Sequence, residues 1–384
     1  VDQAELAIFF ILRSLTMIFL NSVGKLIIGQ STYKFISKSE DQKGFYQVTA
    51  NLFFTNFFLV AFLSVLYLFF IIIYVEIASL SISAFEKMLI FGILLFQTFN
   101  TCFNHYFQIR GNDFLSGISS AFFSRLITLL FLTFFYFYFE INLSTLLISI
   151  FSGHFVGTIF FGFHSGLHKF VKNIKFIKFV MKNKKNFFES ITTFFSSYPQ
   201  IYFAILGIFI DESATVTIGL VIYILPLMEI VSSSLGLSSR TQILKIKSRN
   251  QLIIFMKDYQ KVLSLFLLAI GAVMVCIKFL LAYFDSLSNY QNYNELITAI
   301  NVMTFILIFN ALIALIYGNF YIHANLMSGQ RYLLVRMFFV LIFGAFSILF
   351  FFPIFGYFSY FLVLIISQFI ISYASRVFLM RQFI

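Results

Sequence analysis

The sequence predicts an all-α integral membrane protein, and three observations carry that prediction. Of its 384 residues, 60% are hydrophobic and 11% charged, where an ordinary soluble domain has about half and about a quarter. Apolar runs recur along the whole length, each long enough to cross a hydrocarbon core about 30 Å thick. The charges collect between these runs. Lipid offers no partner to a free N–H or C=O, so the crossing segments must be helices. The alternating strands of a membrane barrel are absent from the pattern. The spacing leaves no room for a soluble catalytic domain.

Eleven spans are read in order, at about residues 5–30, 48–75, 82–107, 114–139, 142–167, 188–210, 214–238, 256–284, 294–319, 328–351 and 355–376. The joins near Glu140 and Pro353 are short. The 60 Phe and absent Trp read as filler for lipid-facing positions. Cys102 and Cys276 both lie in apolar runs and read as core residues, neither disulfide nor metal ligands.

Charge orients the spans. The loops on one side hold 21 Lys and Arg, from Lys34 through the cluster Lys169–Lys185 to Arg381. The other side holds only Lys87, beside Glu76, Glu86, Glu140, Asp211, Glu212, Asp285 and Glu295. Misreading one helix would scramble such an alternation. The basic side is therefore read as the cytoplasm. The net charge of +11 is explained by that bias, and no nucleic-acid partner is expected.

The chain starts at Val1 without an initiator Met, and this topology puts that end outside. One further helix before Val1 is the simplest completion. It gives twelve spans with both ends cytoplasmic, arranged as two six-helix lobes. The N-terminal lobe covers 1–167 with five visible helices. A basic linker covers 168–187, and the C-terminal lobe 188–384. Lys recurs every three or four positions in the linker, with Phe, Ile and Val between, as in a helix lying on anionic membrane lipids. The lobes share a trace of sequence. Phe107-Gln-Ile109-Arg110-Gly-Asn112 follows the third visible span and Phe320-Tyr-Ile322-His323-Ala-Asn325 the ninth. Parallel halves are a common transporter plan.

Transport needs polar groups where lipid forbids them. Arg13 and Arg125 lie mid-span, too deep for easy snorkelling, and must face a wet cavity or a partner. Lys25 and Lys278 lie about six residues from a helix end, within snorkelling reach. Glu229 lies mid-span with Ser232 and Ser233 on its face, either in an ion pair with Arg13 or Arg125 or in direct contact with substrate or a coupling ion. A cationic interior selects an anionic cargo, and guanidinium suits phosphate because it stays charged and binds two oxygens at once. Outward movement of negative charge is favoured by about 2.3 kcal/mol per charge per 100 mV. Pro199 and Pro226 break the first two helices of the second lobe and are candidate gating kinks. Gly153-xxx-Gly157 and Gly162-xxx-Gly166 read as close-packing sites. His154 and His164 beside them read as packed or hydrogen-bonded. No paired carboxylates, metal cluster, P-loop or nucleophile elbow occurs, so neither catalysis nor a cofactor or metal is expected.

Three stretches carry a family resemblance. AELAIFFILRSLTMIFLNSVGKLIIGQSTYKFISKSED, FQIRGNDFLSGISSAFFSRLITLLF and AILGIFIDESATVTIGLVIYILPLMEIVSSSLG resemble the second helix, the fourth-to-fifth helix junction and the seventh-to-eighth helix hairpin of Wzx-type polysaccharide flippases of the MOP superfamily. In the last stretch Asp211 precedes Gly219 and Tyr223 of the next helix, and it joins Glu229 as a candidate coupling or ion-pair residue. The resemblance covers essentially the whole chain, offset by one helix. It implies alternating access by two lobes and outward translocation of an undecaprenyl-diphosphate-linked oligosaccharide for O-antigen or capsule assembly. It also implies a cationic cavity with contributions from Arg13, Lys25 and Arg125, and polysaccharide polymerase machinery as a partner. The alternative is a cation-coupled multidrug antiporter of the related MATE type, which favours acidic cavity residues. A major-facilitator transporter is disfavoured because residues 29–43 lack that family's loop signature, and a membrane glycosyltransferase because the longest external loop has about ten residues.

Overall fold

A computed structural model describes residues 2–27, 42–109, 123–166, 191–225, 235, 239–283, 292–327 and 329–382. All regular structure among them is helical. Among the described residues seven helices are long and apolar enough to cross a membrane, which makes the chain a multi-pass membrane protein. The chain divides into two compact units, Val1–Ser197 and Tyr198–Ile384.

Unit 1 contains α1 (Gln3–Ile27), α2 (Gln42–Ile77), α3 (Ala84–Ile109), α4 (Phe123–Tyr138) and α5 (Leu143–Ser165). Helix α5 packs along α3 and α4, and α1 and α2 pack on α3. Lipid removes the hydrophobic drive between such helices, so close van der Waals fit must hold them. The sequence supplies it with glycine. A Cβ at Gly157 would stand 2.6 Å from Ser124 Oγ, and one at Gly153 would overlap the Ser124 carbonyl and Thr128 Oγ1 of α4. The second glycine pair works differently. Gly162 has only an ordinary 3.7 Å approach to Phe103, and Gly166 ends α5 in the left-handed region at φ 66°. At the start of α3, Glu86 accepts from Ser83 N at 2.8 Å and from Ser83 Oγ at 2.9 Å. Its other oxygen takes the Ser144 hydroxyl of α5 at 2.8 Å, so one carboxylate both caps α3 and ties α5 to it.

Unit 2 contains α6 (Tyr198–Leu206), α7 (Glu212–Ile224), α8 (Arg240–Lys245), α9 (Arg249–Tyr283), α10 (Tyr293–Ile316), α11 (Tyr321–Leu326), α12 (Gln330–Phe355) and α13 (Phe358–Arg381). The main pairings are α9 with α10, α12 with α13, α7 with α10 and α10 with α13. Large apolar side chains such as Phe339, Phe346 and Phe350 of α12 are exposed. That surface would be an anomaly in water and is ordinary against lipid.

Three boundaries differ from those read in the sequence. Helix α9 starts at Arg249, several residues before the apolar run. Its first turns expose Arg249, Lys257 and Lys261 while burying Leu252, Met256 and Tyr259. Hydropathy stops at the charges, but the helical period runs through them. Pro353 lies inside the last turn of α12 rather than in the join, and Gly356 at φ 54° closes the helix. Phe320–Asn325 forms the start of a short helix, α11, rather than a plain turn. Gly318 at φ 74° reverses the chain there, and Phe320 packs into the space a Cβ would take.

Candidate functional site

Unit 1 holds a polar seam inside its helices. Arg13 of α1 is half-buried, and its Nη1 donates to Gln97 Oε1 of α3 at 3.0 Å. The Gln97 amide reaches back to Met17 Sδ of α1 at 3.9 Å. An amide oxygen holds a guanidinium in place without cancelling its charge. One turn on, Asn100 Nδ2 donates to Ser124 Oγ of α4 at 3.1 Å and to the His154 carbonyl of α5 at 3.1 Å. It also lies 3.3 Å from His154 Nδ1. Thr158 closes the cluster, donating to Asn100 Oδ1 at 3.1 Å and to the His154 carbonyl at 2.9 Å. The missing Cβ atoms of Gly153 and Gly157 bring α4 near enough for Ser124 to take part. Arg13 and Arg125 both lie close enough to His154 to act on it electrostatically. Beside Arg13 is a small cavity of about 10 Å³, walled by Phe9 and Leu12 of α1, Ile90 and Ile93 of α3, and Leu147 and Ile150 of α5.

The other expected site residues are placed as follows. Arg125 is exposed on α4. The Lys25 side chain, Pro226, Glu229 and the linker 168–187 lie outside the described residues. Asp211 caps α7, its Oδ1 accepting from Ala214 N at 2.7 Å. Nearby, burial and then the Asp211 charge push the Tyr357 hydroxyl above its ordinary range. Pro199 occupies the second position of α6, after a break at Ser197, where a missing N–H costs nothing. His164 Nδ1 bonds the Phe160 carbonyl at 2.9 Å. No group of three or more metal-ligating side chains occurs among the described residues.

Unit 2 carries polar joints of another kind. Tyr202 OH donates to the Val340 carbonyl at 2.6 Å, and Tyr360 OH to the Pro199 carbonyl at 3.1 Å. Tyr198 OH reaches Gln368 Oε1 at 3.4 Å. These bonds fix α6 to α12 and α13. Gly344 leaves the space that the Tyr202 hydroxyl fills. His323 is fully buried on α11, with Nε2 2.7 Å from Ser239 Oγ and its ring edge-on to Tyr259 and Phe255. At the end of α10 the Ile316 carbonyl accepts from Gln260 Nε2 at 3.0 Å and from Arg376 Nη1. A cation there complements the negative end of the helix dipole.

A search for formal charges finds Arg13 and Arg125 but passes over Gln97, Asn100 and Thr158. Their signal was present: Gln97, Asn100 and Thr101 recur at helical spacing within an otherwise apolar run. Comparison with family models, curated proteins and solved structures gave no match.

Proposed function

We propose that the chain is a flippase that carries a diphosphate-linked oligosaccharide lipid from the cytoplasmic to the outer leaflet of a bacterial inner membrane, for surface polysaccharide assembly. The observation that carries the reading is the half-buried Arg13 guanidinium, bonded to Gln97 within the helices of unit 1. A permanent charge at membrane depth is expensive, and such groups mark a pathway for ions or substrate. Guanidinium forms two parallel hydrogen bonds to phosphate oxygens. The Gln97 amide oxygen holds Arg13 in orientation. The loop asymmetry orients the basic side inward, so the membrane potential favours outward movement of an anionic head group without ATP. Polysaccharide polymerase machinery then takes the delivered lipid.

The test is complementation of a strain lacking its own flippase. The double variant Arg13→Ala, Arg125→Ala is expected to insert normally and to leave surface glycan absent. Normal glycan from that variant overturns the assignment.

A further inference from the structure

Between α9, α10 and α13 of unit 2 lies a cavity of about 20 Å³, room for one water-sized group. Leu263 and Leu267 form its apolar wall. Its polar wall is Asn310 and Asn319 from the α10 end and Gln368 and Ser372 from α13. Ser372 is 1% exposed, and its Oγ finds no hydrogen-bond partner among the described residues. Ser64 and Ser359 are buried hydroxyls in the same state among the described residues, but neither lines this cavity. Ser22, Thr98, Thr101, Thr128, Ser149 and Thr304 all donate to the carbonyl four residues back, the ordinary solution for a hydroxyl in a membrane helix. Ser372 forgoes it beside a cavity whose other polar groups are carboxamides. Gln368 uses its oxygen on Tyr198, which leaves the two N–H bonds of its amide to place.

The surroundings select the charge of a guest. A cation would meet the Arg376 guanidinium, one turn beyond Ser372 on α13 and engaged at the Ile316 carbonyl. An anion would sit at the C-terminal, negative end of α10. No charged side chain lines the cavity. Carboxamides and a hydroxyl both donate and accept, as an O–H group requires. A buried hydroxyl left without a partner is unfavourable, so a guest that bonds to it is favoured.

We propose that this cavity is a binding site for a neutral hydroxyl group, held between Ser372, Gln368 and the Asn310 end of α10. The volume admits a single water molecule and no sugar ring, so water is the guest that supplies that group.

The test is radiolytic hydroxyl-radical footprinting of the full chain in nanodiscs, because a bound hydroxyl places radicals beside Leu263 and Leu267. Modification is read relative to the exposed segment 245–250. The expected result is modification of Leu263 and Leu267 well above that of the equally buried Leu252, and its loss in Ser372→Val. Ala314→Val fills the same cavity from α10 and replaces that variant if Ser372→Val fails to fold. No modification of these leucines, or modification that persists with the cavity filled, overturns the proposal.

Discussion

Unit 1 and unit 2 solve the same problem, holding helices together in lipid, with different polar groups. Unit 1 brings α1, α3, α4 and α5 together around amides, a histidine and two arginine charges. Unit 2 pins α6 to α12 and α13 through tyrosine hydroxyls bonded to backbone carbonyls and an amide. A tyrosine–carbonyl bond satisfies both partners and leaves nothing over. A guanidinium held by an amide keeps its charge. The contrast separates helices joined through amides and a guanidinium from helices joined through tyrosine hydroxyls.

The contrast breaks most readily at the glycines of α5. Gly157→Leu forces a side chain into Ser124 and Asn100, and overpacking of this kind costs about 3 kcal/mol. Thermal unfolding in detergent is expected to show a large drop. Gly162→Ala, with only an ordinary contact to Phe103, is expected to change stability by less than about 0.5 kcal/mol. Equal losses from both would remove close packing of α4 on α5 as the reason for Gly157.

In unit 2, Tyr202→Phe removes the hydroxyl that bonds the Val340 carbonyl and is expected to cost about 1 kcal/mol in denaturant unfolding. Anion binding to unit 1 should not change. If it weakens, the two sets of joints are not separate in function.

The Asp211 cap is a smaller matter. Asp211→Ala is expected to cost about 1 kcal/mol, and Asp211→Asn, which still caps, much less. The same residue has a pH effect. Burial and Asp211 hold the Tyr357 pKa above its unfolded value. Neutral Tyr357 therefore contributes stability that is complete below the ordinary tyrosine range and is lost as pH rises through the raised value. Asp211→Asn removes one cause, so the alkaline loss of stability should be smaller and be complete at a slightly lower pH. An unchanged alkaline midpoint would show that Asp211 does not act on Tyr357.

The membrane class and most helix positions were legible because they depend on runs of side chains, which hydropathy reads directly. The α9 start was misplaced because Arg249, Lys257 and Lys261 interrupt the hydropathy without interrupting the helix. Arg13 and Arg125 stood out because charge in an apolar run has few explanations. Their setting did not. Gln97, Asn100 and His154 come from helices far apart in sequence, and only packing across Gly153 and Gly157 brings them together. The tyrosine joints were hidden for the same reason, since Tyr198, Tyr202 and Tyr360 look like ordinary lipid-facing aromatics until α6 is set against α12 and α13.

The most direct measurement is transfer of a polyprenyl-diphosphate-linked oligosaccharide across vesicles containing the purified chain. The wild type is compared with Arg13→Gln, Arg125→Gln and with Tyr202→Phe. The expected result is transfer by the wild type and by Tyr202→Phe, with transfer lost when both arginine charges are removed. Undiminished transfer by the arginine double variant, inserted and folded, would contradict the central role given to the unit 1 charges.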